Sequence, residues 1–154
     1  MRTFLLSLVL LLWPLAAIAI APAPTLSSEI WVERVGKDGN GNVIRTLEKP
    51  LSVLPGDVLF FEIVAKNTGS QSNNDFVITN PMPRAVNFVS ASDNADYSVD
   101  GGKSWGDVPS LRVALPNGSQ RAADLSDVTH VRWRAALPLQ PGEAWKFSFR
   151  ARAK

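Results

Sequence analysis

A period of two in the apolar residues is the feature that most constrains how this chain folds. In the segment Val58–Lys66 the apolar side chains of Leu59, Phe61, Ile63 and Ala65 fall on one side of an extended strand. The same period of two returns near the end of the chain, where Trp145, Phe147, Phe149 and Ala151 alternate with Lys146, Ser148, Arg150 and Arg152. Beyond residue 28 no segment sustains a helical period. The pattern therefore predicts an all-β domain.

Turn-forming Gly, Pro, Asn and Asp residues divide the chain into short strands. The predicted strands are Glu29–Val35, Val43–Leu47, Val58–Lys66, Phe76–Thr79, Ala85–Ser90, Asp96–Val99, Val128–Ala135 and Trp145–Arg152. Residues 106–126 are predicted to form a loop. Short strands at this spacing indicate an antiparallel two-sheet β-sandwich, with a small barrel as the alternative. The aromatic faces of the last two strands are expected to form much of the core between the sheets.

The first 19 residues have the three parts of a secretory signal peptide. Arg2 precedes an apolar run, and the small residues Ala17 and Ala19 frame a cleavage site. We predict a signal peptide over residues 1–19, an extended Pro/Ala/Ser-rich spacer over residues 20–28, and a sandwich domain over residues 29–154. The expected location is periplasmic or secreted. An uncleaved membrane anchor is the alternative, because the apolar run approaches spanning length.

The composition excludes several kinds of functional site. The chain has no Cys, one His and a formal charge of +2, so it has no disulfide, thiol nucleophile or multi-histidine metal site. His130 is the single candidate imidazole base, and no G-x-S-x-G sequence accompanies it. Asp38, Asn40 and Asn42 alternate as in a calcium loop, but the required Gly and Glu are missing further on, so a hairpin turn is the better interpretation. We expect no cofactor, no metal, no nucleic-acid partner and no small-molecule substrate.

The segment Ser98–Trp105 resembles the Asp-box, S-x-D-x-G-x-[ST]-W, of secreted β proteins. We expect the Asp100 carboxylate to accept backbone N–H groups across the turn, Gly102 to supply an unusual φ, and Trp105 to cover the hairpin. In the families that share this motif its role is structural. The alternative function is a small secreted hydrolase that uses the carboxylates of Asp93, Asp96 and Asp100.

Several segments in order resemble the conserved-repeat, Ig-like domain family known as domain of unknown function number eleven. The segment Pro55-Gly56-Asp57, the strand after it and Asn67-Thr68-Gly69 are similar to the opening of that domain, and Thr79–Pro83 is similar to its next block. Asn80 departs from the usual Asp. The resemblance covers roughly residues 29–154. It implies an exported Ig-like module of the bacterial envelope, with no catalytic or cofactor residues to transfer to this chain.

Charge is unevenly distributed along the sequence. Residues 22–127 have 9 basic and 13 acidic side chains, whereas residues 128–154 have 6 basic and 1 acidic. If the last two strands pair as a hairpin, the cations Arg132, Arg134, Lys146, Arg150 and Arg152 line one exposed face, which is suited to contact an anionic surface. The alternative is an ordinary solvated face that also protects an edge strand.

The sequence therefore predicts an exported, non-enzymatic Ig-like module with a structural or interaction role. Its partner is expected to be an envelope protein or an anionic surface polymer. The chain itself is expected to be a monomer or to associate weakly, and one route to association is the lending or accepting of an edge strand.

Overall fold

The fold is an antiparallel β-sandwich, described here for residues 23–154 of a computed structural model. The predicted signal peptide, residues 1–19, lies outside these described residues. Ten strands are present: β1 Thr25–Lys37, β2 Val43–Glu48, β3 Val58–Lys66, β4 Val77–Pro81, β5 Val86–Ala91, β6 Ala95–Ser98, β7 Arg112–Ala114, β8 Gln120–Ala122, β9 His130–Arg134 and β10 Ala144–Ala153.

Two sheets form the body of the sandwich, and every strand pair is antiparallel. The larger sheet has the order β2-β1-β3-β10-β5 and the smaller one the order β4-β9-β6. A separate two-stranded ribbon, β7-β8, completes the structure. The sheets end on open edges, so the sandwich prediction is confirmed and the alternative barrel is not formed by the described residues.

The core lies between the two sheets, as the alternation predicts. Every second residue of β3, on its inward side, is buried. The ring of Phe61 stacks on that of Phe149 in β10, with centroids 4.3 Å apart. Trp133 of β9 packs across the sandwich on Phe147 of β10, with centroids 5.6 Å apart. These rings pack with buried aliphatic side chains into one core, and apolar burial stabilises a domain that has no disulfide.

Several predicted boundaries differ from the observed ones. The first strand starts at Thr25, so residues 25–28 of the predicted spacer belong to the sheet and pair with the end of β3. The predicted loop 106–126 contains the β7-β8 ribbon and a short 3₁₀ helix at Val108–Ser110, and a second begins at Leu125. Because these elements are only three residues long, they leave no periodic signal in the sequence.

The largest correction concerns the last two strands. We considered β9 and β10 as a hairpin, but β9 lies in the smaller sheet and β10 in the larger one. The intervening Leu139 is fully buried and pairs with Asn73 in an isolated bridge, so the connection crosses from one sheet to the other. The predicted cations of the two strands are therefore on opposite outer faces of the sandwich.

Candidate interaction surface

The Asp-box turn has the predicted geometry. Asp100 Oδ1 accepts the backbone N–H groups of Lys103 and Ser104, each at 3.0 Å, and Oδ2 accepts the Ser104 hydroxyl at 2.6 Å. Gly102 has a φ of +89°, and the Trp105 indole donates to its carbonyl at 2.9 Å. These hydrogen bonds hold the pKa of the Asp100 carboxyl well below its usual range. The carboxylate is therefore used to close the turn.

The three acidic residues of the hydrolase alternative have different surroundings. Asp96 accepts a hydrogen bond from the Arg132 guanidinium at 2.7 Å, and Asp100 is engaged in its own turn. Asp93 is exposed in the connection between β5 and β6, where it borders a shallow depression with Trp145. No cluster of three or more His, Cys, Asp or Glu side chains suited to a metal ion occurs within residues 23–154. Two of the three carboxylates thus have structural partners.

On the outer face of the larger sheet, each predicted cation meets an acceptor. Lys146 Nζ lies 3.1 Å from Glu62, Arg152 donates to the Gly56 carbonyl at 2.9 Å, and Arg150 donates to Glu33 at 2.6 Å. Glu62 and Glu33 lie on β3 and β1, which pair beside β10 in the order β1-β3-β10. Pairing with acceptors on neighbouring strands and turns therefore neutralises much of the positive charge of β10.

Glu33 is the best-covered charge on that face. Its side chain is only 2 % exposed although it points outward, because Arg150 and Arg45 approach it from two sides. The hydrogen bond from Arg150 and that from Arg45 hold the pKa of Glu33 below its usual range against the opposing effect of burial. The Arg150 guanidinium also lies over the Phe60 ring, 5.0 Å from its centroid. No pattern in the sequence indicated this cluster, because its members lie on strands far apart in the chain.

On the outer face of the smaller sheet, two guanidinium groups share one carboxylate. Arg132 Nη2 lies 2.7 Å from Asp96, and Arg134 Nε lies 3.6 Å from the same oxygen. The Arg132 side chain is 12 % exposed and stacks on Trp105, 4.0 Å from the ring centroid, whereas that of Arg134 is 61 % exposed. This group of Arg132, Arg134, Asp96 and Trp105, called here the β9 face, retains a positive charge that its own acid does not balance.

The single histidine belongs to the same neighbourhood. His130 lies edge-on to Trp105, with ring centroids 6.3 Å apart, and its Nδ1 is 3.1 Å from the Thr129 hydroxyl. In a catalytic triad, an acid orients the histidine through one ring nitrogen and a nucleophile contacts the other. Neither neighbour of His130 is an acid, so this arrangement is not that of a catalytic triad. His130 acts here as a packing partner of the Asp-box tryptophan.

The residues that suggested the family resemblance form two structural turns. In the first, Gly56 has a φ of +91° and Asp57 Oδ2 accepts the Leu54 N–H at 2.9 Å, beside Pro55. This hydrogen bond and that from Arg34 lower the pKa of Asp57. In the second, the buried Asn67 amide donates to the Gln71 and Leu139 carbonyls and accepts the Gly69 N–H. Asn80, by contrast, lies within β4, and its Nδ2 donates to the Pro81 carbonyl at 3.0 Å.

An apolar groove of about 520 Å³ opens at one end of the sandwich. Its floor is formed by Leu59 and Phe61 of the larger sheet, and its walls by Ile30, Leu54 and Val86 with neighbouring residues. The smaller sheet has three strands and the larger one five, so the inner face of β1 is not fully covered. Apolar surface therefore remains exposed at Ile30 and Leu54.

Comparison with known proteins gives no relative: no family model, curated protein or solved structure matches this chain. Within residues 23–154 no helix is long and apolar enough to cross a membrane.

Proposed function

We propose that this chain is an exported, non-enzymatic Ig-like module with a structural or interaction role in the bacterial cell envelope. The apolar segment at residues 1–19 and the resemblance of residues 29–154 to an envelope domain family support export. The observation that most favours a non-catalytic role is the use of Asp100. Its carboxylate, the most distinctive acidic group in the sequence, accepts hydrogen bonds from its own turn and is not directed at a substrate cleft.

We propose further that an anionic envelope polymer contacts the β9 face. Of the five cations that the sequence suggested, Arg132 and Arg134 share the partly exposed Asp96, Lys146 pairs with Glu62, and Arg150 shares the covered Glu33 with Arg45. The guanidinium of Arg134 is also well exposed on the outer face of the smaller sheet. A surplus of exposed positive charge on a sheet face suits a long polyanion better than a small molecule.

Retention of the purified protein on isolated cell envelopes tests this proposal. Arg134→Ser should lower retention at low salt about fivefold, since one surface cation contributes about 1 kcal/mol to binding an anionic surface. Asp96→Asn should raise it, because the same two guanidinium groups then lack their shared carboxylate. Arg152→Ser, which removes an exposed cation from the opposite face, is the matched control and should leave retention unchanged.

Two outcomes among the variants would contradict the polyanion contact. One is equal retention of wild type, Arg134→Ser and Asp96→Asn, and the other is an equal loss with Arg134→Ser and Arg152→Ser. Retention that does not fall as salt rises would also contradict it, because contacts between exposed charges are screened.

A further inference from the structure

The first half of β1 has an open edge. β2 pairs with β1 only from Val32 to Lys37, and within residues 23–154 no strand or isolated bridge lies beside Thr25–Trp31 on that side. On the other side the same segment pairs with β3 along its whole length. The result is a notch seven residues long, bounded by β2 at one end and by Pro24 at the other. An unpaired edge of this kind is a template for a further strand.

The direction of the backbone groups along this edge follows from the β1-β2 turn. Asp38 N donates to Asn42 O at 2.9 Å, which makes Asp38 and Asn42 a hydrogen-bonded pair. Since such pairs alternate along an antiparallel ladder, the even-numbered residues of β1 direct their N–H and C=O groups toward the β2 side. In the notch these residues are Leu26, Ser28 and Ile30, so their backbone groups point to the open edge.

The side chains of the same three residues form an exposed apolar strip around a small polar centre. Leu26 and Ile30 lie on the inner face of the sheet, opposite Ala65 and Phe61 of β3, yet they are 55 % and 43 % exposed. Ser28 lies between them. An apolar residue two positions on either side of a serine is a pattern that an antiparallel strand of the same sequence complements.

We propose that two copies of this chain pair through this edge, with β1 antiparallel to β1 and the two-fold axis at Ser28. This register places Leu26 opposite Ile30 of the second copy, and Ile30 opposite Leu26. Every even-numbered residue then forms a hydrogen-bonded pair, which gives about six backbone hydrogen bonds. A two-fold axis perpendicular to the sheet also keeps the inner faces of both copies on the same side.

The charge of Glu29 and the length of the notch favour this register over the two in which the axis moves by one residue. Glu29 is the one charged residue in the notch, and it faces Ser27 of the second copy. Moving the axis to Glu29 would place two carboxylates opposite each other, which is unfavourable. Moving it to Ser27 would place Ile30 opposite Pro24, which has no N–H to donate. In the proposed register Pro24 also ends the added strand where β2 of the other copy begins. The Lys49 side chain after β2 borders the notch, because its Nζ lies 3.1 Å from Glu29 and 3.9 Å from the centroid of the Trp31 ring.

The state of association tests the proposal, measured by analytical ultracentrifugation from the low micromolar to the millimolar range. The full chain is expressed so that residues 1–19 are processed as in the cell. Wild type should form dimers as its concentration rises. Ser28→Pro should raise the dissociation constant about 30-fold, because it removes two hydrogen bonds between copies worth about 1 kcal/mol each. In the monomer that N–H points to the open edge, so the substitution removes no pairing with β3.

Leu47→Pro is the matched control. Leu47 is an odd-numbered residue of β2, and its N–H points to the outer edge of that strand by the same alternation. It should leave dimerisation unchanged. If Leu47→Pro and not Ser28→Pro abolished the dimer, or if wild type stayed monomeric throughout, the proposed interface would be wrong.

Two further variants test the register without relying on proline. Leu26→Lys and Ile30→Glu should each weaken the dimer, and the double variant should restore it, because each Lys then faces a Glu of the other copy. Failure of the double variant to restore dimers while its thermal unfolding matches that of the single variants would exclude this register. As the chain has no Cys, Ser28→Cys places one thiol per copy at the axis, and mild oxidation should yield a covalent dimer.

Discussion

Arg150 and Glu33 form an ion pair across the larger sheet, although their strands are not neighbours. Arg150 Nε donates to Glu33 Oε2 at 2.6 Å and passes over Phe60 of the intervening strand β3. One contact thus joins residues that are 117 positions apart in the sequence. Removing one member of such a pair is destabilising mainly because the remaining charge stays buried from water and lacks an opposite charge to balance it.

Arg150→Ala is therefore expected to lower the free energy of unfolding by about 2 kcal/mol, since it leaves the Glu33 carboxylate with Arg45 alone. Arg150 is partly exposed, so the loss should be smaller than for a fully buried pair. Urea unfolding followed by tryptophan fluorescence measures it. Arg152→Ala, on the same face and strand, is the control and should cost less than about 0.5 kcal/mol. Equal losses in the two variants would show that the Glu33 contact is not the stabilising one.

The same cluster gives stability a defined pH dependence. Because the pKa of Glu33 is lowered in the folded state, the unfolded chain binds more protons in the acid range. The contribution of Glu33 to the free energy of unfolding is then fully present above the ordinary pKa of Glu. It is lost as the pH falls through the lowered pKa of Glu33 in the folded state. Urea unfolding between pH 7 and pH 3 should show a decline that is shallower in Glu33→Gln. Glu29→Gln removes a carboxylate from an exposed position of the same strand as a control.

The sequence was sufficient to predict the class of fold, because alternation in Val58–Lys66 directly specifies which side of the strand is buried. It was also sufficient for the Asp-box turn, whose hydrogen bonds connect residues within four positions of each other. Local chemistry determines both features, so a local pattern is enough to predict them.

What the sequence did not predict is the assignment of strands to sheets. The segment Leu137–Gly142 looks like the turn of a hairpin, yet burial of Leu139 beside Asn73 directs the chain to the other sheet. The division of the cations between two faces, the covering of Glu33 and the open edge of β1 all depend on this long-range topology. None of them is encoded within one strand and its neighbouring turns.

The Asp-box turn should tolerate a side chain at position 102 poorly. Gly102 has a φ of +89°, so Gly102→Ala is expected to destabilise the domain by about 1 kcal/mol through backbone strain. The added Cβ itself would lie at ordinary distances from its neighbours, 3.5 Å from Trp105 and 4.0 Å from His130. Gly39→Ala is the matched control, because Gly39 lies in the β1-β2 turn without a positive φ and with no atom near the added Cβ. Thermal unfolding compares the two. A loss for Gly39→Ala as large as that for Gly102→Ala would contradict the strain argument.

The amide of Asn67 connects the end of β3 to the segment that crosses between the sheets. It is almost fully buried, and its Nδ2 donates to Gln71 O at 2.7 Å and to Leu139 O at 2.9 Å. Asn67→Ala leaves these two carbonyls without that donor, and the Leu139 carbonyl is buried, so we expect a loss of about 2 kcal/mol in the free energy of unfolding. Hydrogen exchange should locate the effect, with faster exchange at Gly69 N, which loses its acceptor, and at Leu139 N in the bridge to Asn73. Asn74→Ala, at an exposed position, should leave both amides unchanged. Exchange at Gly69 N and Leu139 N that accelerates no more than exchange across β1 and β10 in Asn67→Ala would contradict a local role for this amide.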